Sequence, residues 1–127
     1  MTAPLPPLAV PARILVVEDE WLIADMMKQY LLDAGFGIVG PADSVDLALD
    51  LLDSAEVSAA ILDVNLGQET SFPIVDRLMA RNIPFVLTTG YSPADLPPVY
   101  RSCRLLAKPL LGDALVTAVR EILTITP

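Results

Sequence analysis

Four polar groups of residues in this chain could do chemistry, and each follows an apolar run that is typical of a strand. They are Glu18-Asp19, Asp63, Thr89-Gly90 and Lys108-Pro109. Because the carboxyl ends of parallel strands lie at one edge of an open sheet, these groups would meet in one crevice. Three carboxylates, a hydroxyl and an ammonium suit a divalent cation and a phosphoryl group.

The carboxylates are of the kind that a hard cation binds. Mg2+ prefers oxygen ligands in octahedral geometry and keeps several waters. Of the adjacent acids Glu18 and Asp19, one can bind directly and the other through water, and Asp63 follows a further predicted strand. Close carboxylates repel one another, and a bound cation relieves that repulsion. A carboxylate is also a nucleophile toward phosphorus, which gives an aspartyl phosphate.

The order of the predicted elements explains how these groups come together. Hydrophobic spacing predicts strands at 14–17, 37–40, 59–62, 85–88 and 105–107, and helices at 20–34, 45–52, 71–81 and 113–123. Three prolines within residues 91–104 make a long regular helix unexpected there. Strands that alternate with helices form a parallel sheet covered on both faces, and right-handed crossovers make it doubly wound.

Length and composition limit the class of protein. The chain has 127 residues, enough for one domain, which we expect at residues 13–124 after a proline-rich tail at 1–12. A net charge of -8 with scattered basic residues argues against a nucleic-acid partner. The single Cys103 excludes an internal disulfide, and the absence of histidine removes the usual zinc sites. No apolar stretch is long enough to span a membrane, so we expect no membrane partner and a cytoplasmic location.

Four segments resemble motifs of the receiver domain of two-component response regulators, over roughly residues 13–124. They are Ile14-Leu15-Val16-Val17-Glu18-Asp19-Glu20, Ala60-Ile61-Leu62-Asp63-Val64-Asn65, Pro84-Phe85-Val86-Leu87-Thr88-Thr89-Gly90-Tyr91 and Leu106-Ala107-Lys108-Pro109. They occur in the family's order and at compatible spacings. The resemblance implies an α/β fold of the flavodoxin-like receiver type, with a doubly wound five-stranded parallel sheet.

The resemblance also implies roles for the acidic residues. Asp63 would be the phosphoacceptor. Asp19, Asp63 and the backbone carbonyl of Asn65 would bind Mg2+ directly, and Glu18 would act through water. Asp19 or Glu20 could instead cap the first helix, but a cap would leave the remaining strand-end groups unexplained.

By the same resemblance, Thr89 and Lys108 would contact the phosphoryl group, and the Lys108-Pro109 peptide bond would be cis. Thr88 competes with Thr89 for the hydroxyl role. Because successive strand residues face opposite sides of a sheet, only one of the two threonines can face the site. The match of Thr-Gly-Tyr to the family pattern favours Thr89.

The chain departs from the family pattern in three places. No Met-Pro pair follows Asp63, Leu105 stands where most receivers have an aromatic residue in the last strand, and the interval from Thr89 to Lys108 is short. We therefore expect a short or irregular fourth helix. Tyr91 and Leu105 are candidates for the signalling surface, and we expect residues 91–104 to change order on phosphorylation.

The segment from Pro84 to Tyr91 also resembles an atypical α-proteobacterial subgroup with a Phe-Ala-Thr-Gly-x-Tyr signature, often partnered by kinases of the HWE class. The resemblance implies a stand-alone phosphoacceptor that receives its phosphoryl group from a histidine kinase or phosphotransfer protein and acts on a downstream protein. It would not be an enzyme.

An interaction module that works without phosphorylation is the alternative. An Asp-nucleophile phosphatase is disfavoured, because Asn65 stands where haloacid dehalogenase-type enzymes have a second Asp. Trp21 is open to two interpretations, a partner surface or ordinary packing.

Overall fold

Five strands form one sheet packed with four α-helices in the computed structural model, which describes residues 11–90, 96–110 and 112–125. The strands are Arg13–Val17 (β1), Gly37–Ala42 (β2), Ala59–Asp63 (β3), Phe85–Thr89 (β4) and Leu105–Ala107 (β5). The helices are Trp21–Asp33 (α1), Val45–Ser54 (α2), Phe72–Ala80 (α3) and Gly112–Ile125 (α4). Among the described helices, none combines the length and the apolar character needed to cross a membrane. Most of the tail predicted at residues 1–12 lies outside the described residues.

The sheet is parallel and has the order β2-β1-β3-β4-β5. Alternate strand residues pack toward opposite faces: Leu15 and Leu62 pack in one core with α2 and α3, and Ile14 and Ile61 in another with α1 and α4. The prediction of a doubly wound five-stranded sheet is therefore confirmed. The chain reverses its direction of winding between β1 and β3, and ligands bind at the carboxyl edge of such a switch point.

Strand β2 is longer than predicted, because it continues through Pro41 to Ala42. Proline is tolerated there since β2 is an edge strand and its register with β1 shifts between Leu15 and Val17. Gly40, with φ +91, provides the backbone conformation that the shift needs. The extended strand also holds the backbone at Glu18, because the carbonyl of Ala42 accepts a 2.9 Å hydrogen bond from the amide of Glu18.

The segment after β3 contains more structure than the loop that the sequence predicts at residues 64–70. Asn65–Leu66 and Glu69–Thr70 form a two-stranded antiparallel hairpin. Gly67 takes φ +63 at its turn, a conformation that glycine adopts without steric cost. Helix α3 then begins at Phe72, with Pro73 in its first turn as expected.

Between β4 and α4, the described residues 96–104 contain one turn of 3-10 helix at Pro98–Tyr100. The ring of Tyr100 stacks on Phe72 with 4.2 Å between centroids, and its hydroxyl donates a 3.0 Å hydrogen bond to Asp76. These contacts attach the segment to α3. The described part of this region contains no long regular helix, as the sequence predicts. Residues 91–95 lie outside the described residues.

Candidate functional site

Three carboxylates meet at the carboxyl edge of the sheet. Glu18 and Asp19 follow β1, and Asp63 ends the adjacent strand β3. One carboxylate oxygen from each lies within 4.8 Å of the other two. Glu18 is 1% exposed and Asp63 7%, whereas Asp19 is exposed. The structure therefore brings the predicted acidic residues together, and their burial differs.

Lys108 provides a positive charge at this edge. Its Nζ donates a 2.9 Å hydrogen bond to Asp63 Oδ2 and lies 3.7 Å from Glu18 Oε2. Its backbone amide donates to the carbonyl of Thr89 at 3.0 Å, and its peptide bond to Pro109 is cis, the isomer that the resemblance implies. The ammonium is therefore held beside the two buried carboxylates.

The two threonines at the end of β4 differ in their hydrogen bonds. Thr88 is fully buried, and its Oγ1 makes a long 3.4 Å hydrogen bond to the carbonyl of Leu62 in β3. Thr89 is also buried, but it pairs with Ala107 in β5, one residue before Lys108. The Thr88 hydroxyl is therefore used within the sheet, and the strand register places Thr89 opposite the residue that precedes Lys108.

The hairpin after β3 flanks the acidic residues. Asn65 begins the hairpin two residues after Asp63 and pairs with Thr70. A Cβ atom added at Gly67 would lie 3.9 Å from Asp19 Oδ2, so the hairpin turn comes close to Asp19. The Asn65 carbonyl therefore belongs to a segment that lies against the acidic cluster.

Burial and repulsion dominate the electrostatics of Glu18. Burial, followed by the negative charge of Asp63, raises the pKa of Glu18 from 4.5 to about 7, against the smaller lowering effect of Lys108. Burial lowers the pKa of Lys108, but its hydrogen bond and attraction to Asp63 and its attraction to Glu18 outweigh that effect, and the net shift is upward. Glu18 Oε2 is buried and has no hydrogen-bond partner among the described residues.

These features fit a divalent cation. A buried carboxylate oxygen without a hydrogen bond is costly in a folded protein, and at Glu18 Oε2 the Lys108 ammonium, 3.7 Å away, compensates it only as an ion pair. Three carboxylates with one ammonium leave excess negative charge at this edge, and their oxygens are ligands of the kind that Mg2+ selects. The residues present therefore suit Mg2+, as the sequence predicts.

The raised pKa of Glu18 predicts how stability depends on pH. Because the folded protein holds the Glu18 proton more tightly than the unfolded chain, the free energy of unfolding falls as pH rises from 4.5 to about 7. We expect a loss of about 2 kcal/mol from this group in metal-free protein. Urea unfolding in a chelator at about pH 5 and pH 8 measures it. Glu18→Gln should abolish most of this dependence and the exposed Glu56→Gln should retain it; an unchanged dependence in Glu18→Gln would contradict the assignment.

Other interpretations of the strand-end residues receive no support from the local geometry. Glu20 is the N-cap residue of α1, but its side chain makes no capping hydrogen bond. Cys103 is half-buried, and burial raises the pKa of its thiol, as expected of a structural cysteine.

Of the two residues predicted at the signalling surface, Leu105 and Tyr91, the structure describes only Leu105. Leu105 is half-buried, pairs with Leu87 and packs against the core, whereas Tyr91 lies outside the described residues. Sequence reasoning missed Tyr100, the residue that joins this region to α3. A single aromatic in a proline-rich segment has no periodic pattern that would identify its partner.

Comparison with known proteins agrees with this geometry. PdtaR, a transcriptional regulatory protein of Mycobacterium tuberculosis, is 30% identical over 115 residues, which are 87% of this chain and 56% of PdtaR. The solution structure of SdrG from Sphingomonas melonis Fr1 matches with a TM-score of 0.78 at 39% identity, over 91% of this chain and 99% of SdrG. The BeF3-activated conformation of SdrG from Pseudomonas melonis Fr1 matches with a TM-score of 0.76, with the same identity and coverage.

The extent of these matches identifies the family. The chain spans about half the length of PdtaR, but nearly all of SdrG. The family model of the response regulator receiver domain matches residues 14–120, which are most of the chain. The matched range contains all of the site residues described above: Glu18, Asp19, Asp63 and Lys108. The chain therefore belongs to the response regulator receiver domain family.

Proposed function

We propose that this receiver is a phosphoacceptor in two-component signalling and that Asp63 carries the phosphoryl group. The observation that supports this proposal most directly is the 2.9 Å hydrogen bond from Lys108 Nζ to Asp63 Oδ2, beside two further carboxylates. Asp63 is the last residue of β3, at the carboxyl edge of the sheet where ligands bind. SdrG, which matches over almost its whole length, is described in a BeF3-activated conformation.

The transfer joins a carboxylate oxygen of Asp63 to phosphorus, while the bond from phosphorus to the donor breaks. The donor keeps the electron pair of that bond and leaves as acetate from acetyl phosphate, or as imidazole from a phosphohistidine. Bound Mg2+, held by Asp19, Asp63 and the Asn65 carbonyl with Glu18 acting through water, would neutralise charge on the phosphoryl oxygens. Lys108 can pair with a second phosphoryl oxygen and the Thr89 hydroxyl with a third. No step needs a histidine on this chain, which has none.

The proposal also covers the partners. The donor is a histidine kinase, with the HWE class as first candidate, or a phosphotransfer protein, and the output passes to another protein by contact. We place the chain in the cytoplasm, because the ATP that supplies such donors is found there. It is not an enzyme in this scheme, since the phosphoryl group is transferred to its own side chain.

A phosphorylation-independent interaction module is the second candidate. The observation in its favour is Leu105, an aliphatic residue that is half-buried against the core. A receiver that uses a moving aromatic residue in its last strand would need a larger side chain at this position.

Incubation with acetyl phosphate distinguishes these functions. With Mg2+ we expect the intact mass to increase by one phosphoryl group, because the donor needs only a positioned carboxylate and charge neutralisation. The adduct should require the metal and disappear with hydroxylamine, which cleaves an acyl phosphate and leaves a serine phosphate intact. Absence of an adduct, both with acetyl phosphate and with a panel of histidine kinases, would favour the interaction module.

A further inference from the structure

The net negative charge of the chain lies entirely in its first 56 residues. They contain ten acidic and two basic residues, whereas the remainder contains six of each. Asp53 forms salt bridges with Arg77 and Arg81 of α3. Among the described residues, Asp25 in α1 and Asp43 before α2 form none. The sheet edge at β2, with α1 on one face and α2 on the other, therefore carries uncompensated negative charge.

The same two helices expose apolar side chains. Seven large hydrophobic residues are exposed in the described part of the chain, and five of them lie on α1 and α2. Trp21, the only tryptophan of the chain, is 77% exposed, and Leu47 is 40% exposed. Exposed apolar residues that line one groove mark an interaction site more often than isolated residues do.

Trp21 and Leu47 line a groove of about 370 Å3 between the start of α1 and the start of α2, which we call the α1–α2 groove. One wall is a single stripe of α1, at positions 21, 24, 25 and 28, which have the spacing of one helix face. Asp43 and Leu47 contribute to the other wall. The exposed Leu22 and Met26 do not line this groove.

We propose that the α1–α2 groove binds a cationic, amphipathic segment of a partner protein. An apolar side chain of that segment would pack between Trp21 and Leu47, and its Lys or Arg residues would pair with Asp25 and Asp43. Trp21 adds to the attraction, because a cation is stabilised over the face of an indole ring. The inference does not depend on phosphorylation of Asp63.

Charge selects this occupant over others. Four carboxylates line the groove: those of Glu18 and Asp19 belong to the metal site, and those of Asp25 and Asp43 are exposed and available to a partner, with Lys28 as the single basic residue of the lining. A second copy of the chain would bring the same excess of acidic residues to this face. Nucleic acids and anionic membranes would be repelled for the same reason. A segment with both positive charge and an apolar face complements the groove in both respects.

A designed peptide tests the proposal on the full chain. The probe is an 18-residue helical peptide of leucine and lysine with the leucines on one face. It contains no tryptophan, so saturable binding should shift the emission of Trp21. The charge-removing pair Asp25→Asn with Asp43→Asn should weaken the affinity on the order of tenfold in about 0.1 M salt, because both carboxylates contact the bound segment. Trp21→Gln, followed by calorimetry, should cause a loss of similar size.

Asp33→Asn with Glu56→Gln is the matched control, because it removes two exposed charges outside the groove. It should leave the affinity within about twofold. An equal loss in both double variants, binding of the same peptide with glutamate in place of lysine, or self-association that Trp21→Gln abolishes would each overturn the proposal. All of these variants should still form the Asp63 adduct, so a failure here is distinct from a failure of the phosphoacceptor proposal.

Discussion

A protein with the substitution Asp63→Asn is expected to gain no phosphoryl group from acetyl phosphate under conditions in which the wild-type chain gains one. The amide of Asn has nearly the shape of the carboxylate but is not a nucleophile toward phosphorus, so the reacting atom is lost and the fold is kept. Of the three clustered carboxylates, Asp63 is the one hydrogen-bonded to the Lys108 ammonium. Intact-mass measurement after the same incubation with Mg2+ gives the result directly.

The matched control for this prediction is Asp50→Asn. Asp50 is exposed on α2, and the substitution makes the same chemical change away from the acidic cluster. This variant should gain the phosphoryl group to the wild-type extent. If Asp63→Asn also does so, the acceptor is another residue and the assignment of Asp63 is wrong.

The sequence was sufficient to predict the five-stranded sheet and the edge of the sheet at which the polar residues meet. Each of the five strands contains a short apolar run, and each run before a site residue ends at the polar group itself. Parallel pairing then requires Asp63 and Lys108 to lie at the same edge as Glu18. The inference needed no knowledge of side-chain contacts, which is why it could be made from residue order alone.

The extent of β2 and the hairpin could not be predicted in this way. The pattern ends β2 at Pro41, because a proline normally ends pairing, and only the register shift against β1 makes the longer strand possible. The hairpin depends on the positive φ of Gly67, whose neighbour Gln68 is not a typical turn residue. Both features depend on the paired strand as well as on the local sequence.

The burial of each site residue likewise could not be predicted from the sequence. Glu18 and Asp19 are adjacent and chemically similar, yet the first is 1% exposed and the second is exposed. The difference depends on the surrounding fold, which places the Glu18 carboxylate beside Lys108 and the Asp19 carboxylate near the hairpin turn at Gly67. The α1–α2 groove has the same origin, because Trp21 and Leu47 are far apart in the chain and line the groove from two different helices.

The substitution Lys108→Met is expected to lower the free energy of unfolding of the metal-free protein by about 3 kcal/mol at pH 8. It leaves the buried carboxylates of Asp63 and Glu18 without the ammonium that lies 2.9 Å and 3.7 Å away in the wild type. The raised pKa of Lys108 means that its contribution is fully present below 10.5 and is lost only as pH rises through the higher folded value. At about pH 5 Glu18 is protonated, so the loss should be smaller. Urea unfolding at the two pH values measures the difference.

Lys28→Met is the matched control, because Lys28 is half-buried on α1 and forms no salt bridge with the described residues. It should change stability by no more than about 0.5 kcal/mol. Equal losses in the two variants, or a loss in Lys108→Met that does not depend on pH, would contradict a specific role for the pair with Asp63. Added Mg2+ should restore more stability to Lys108→Met than to the wild type, because in the variant the metal ion replaces the missing positive charge beside the same carboxylates.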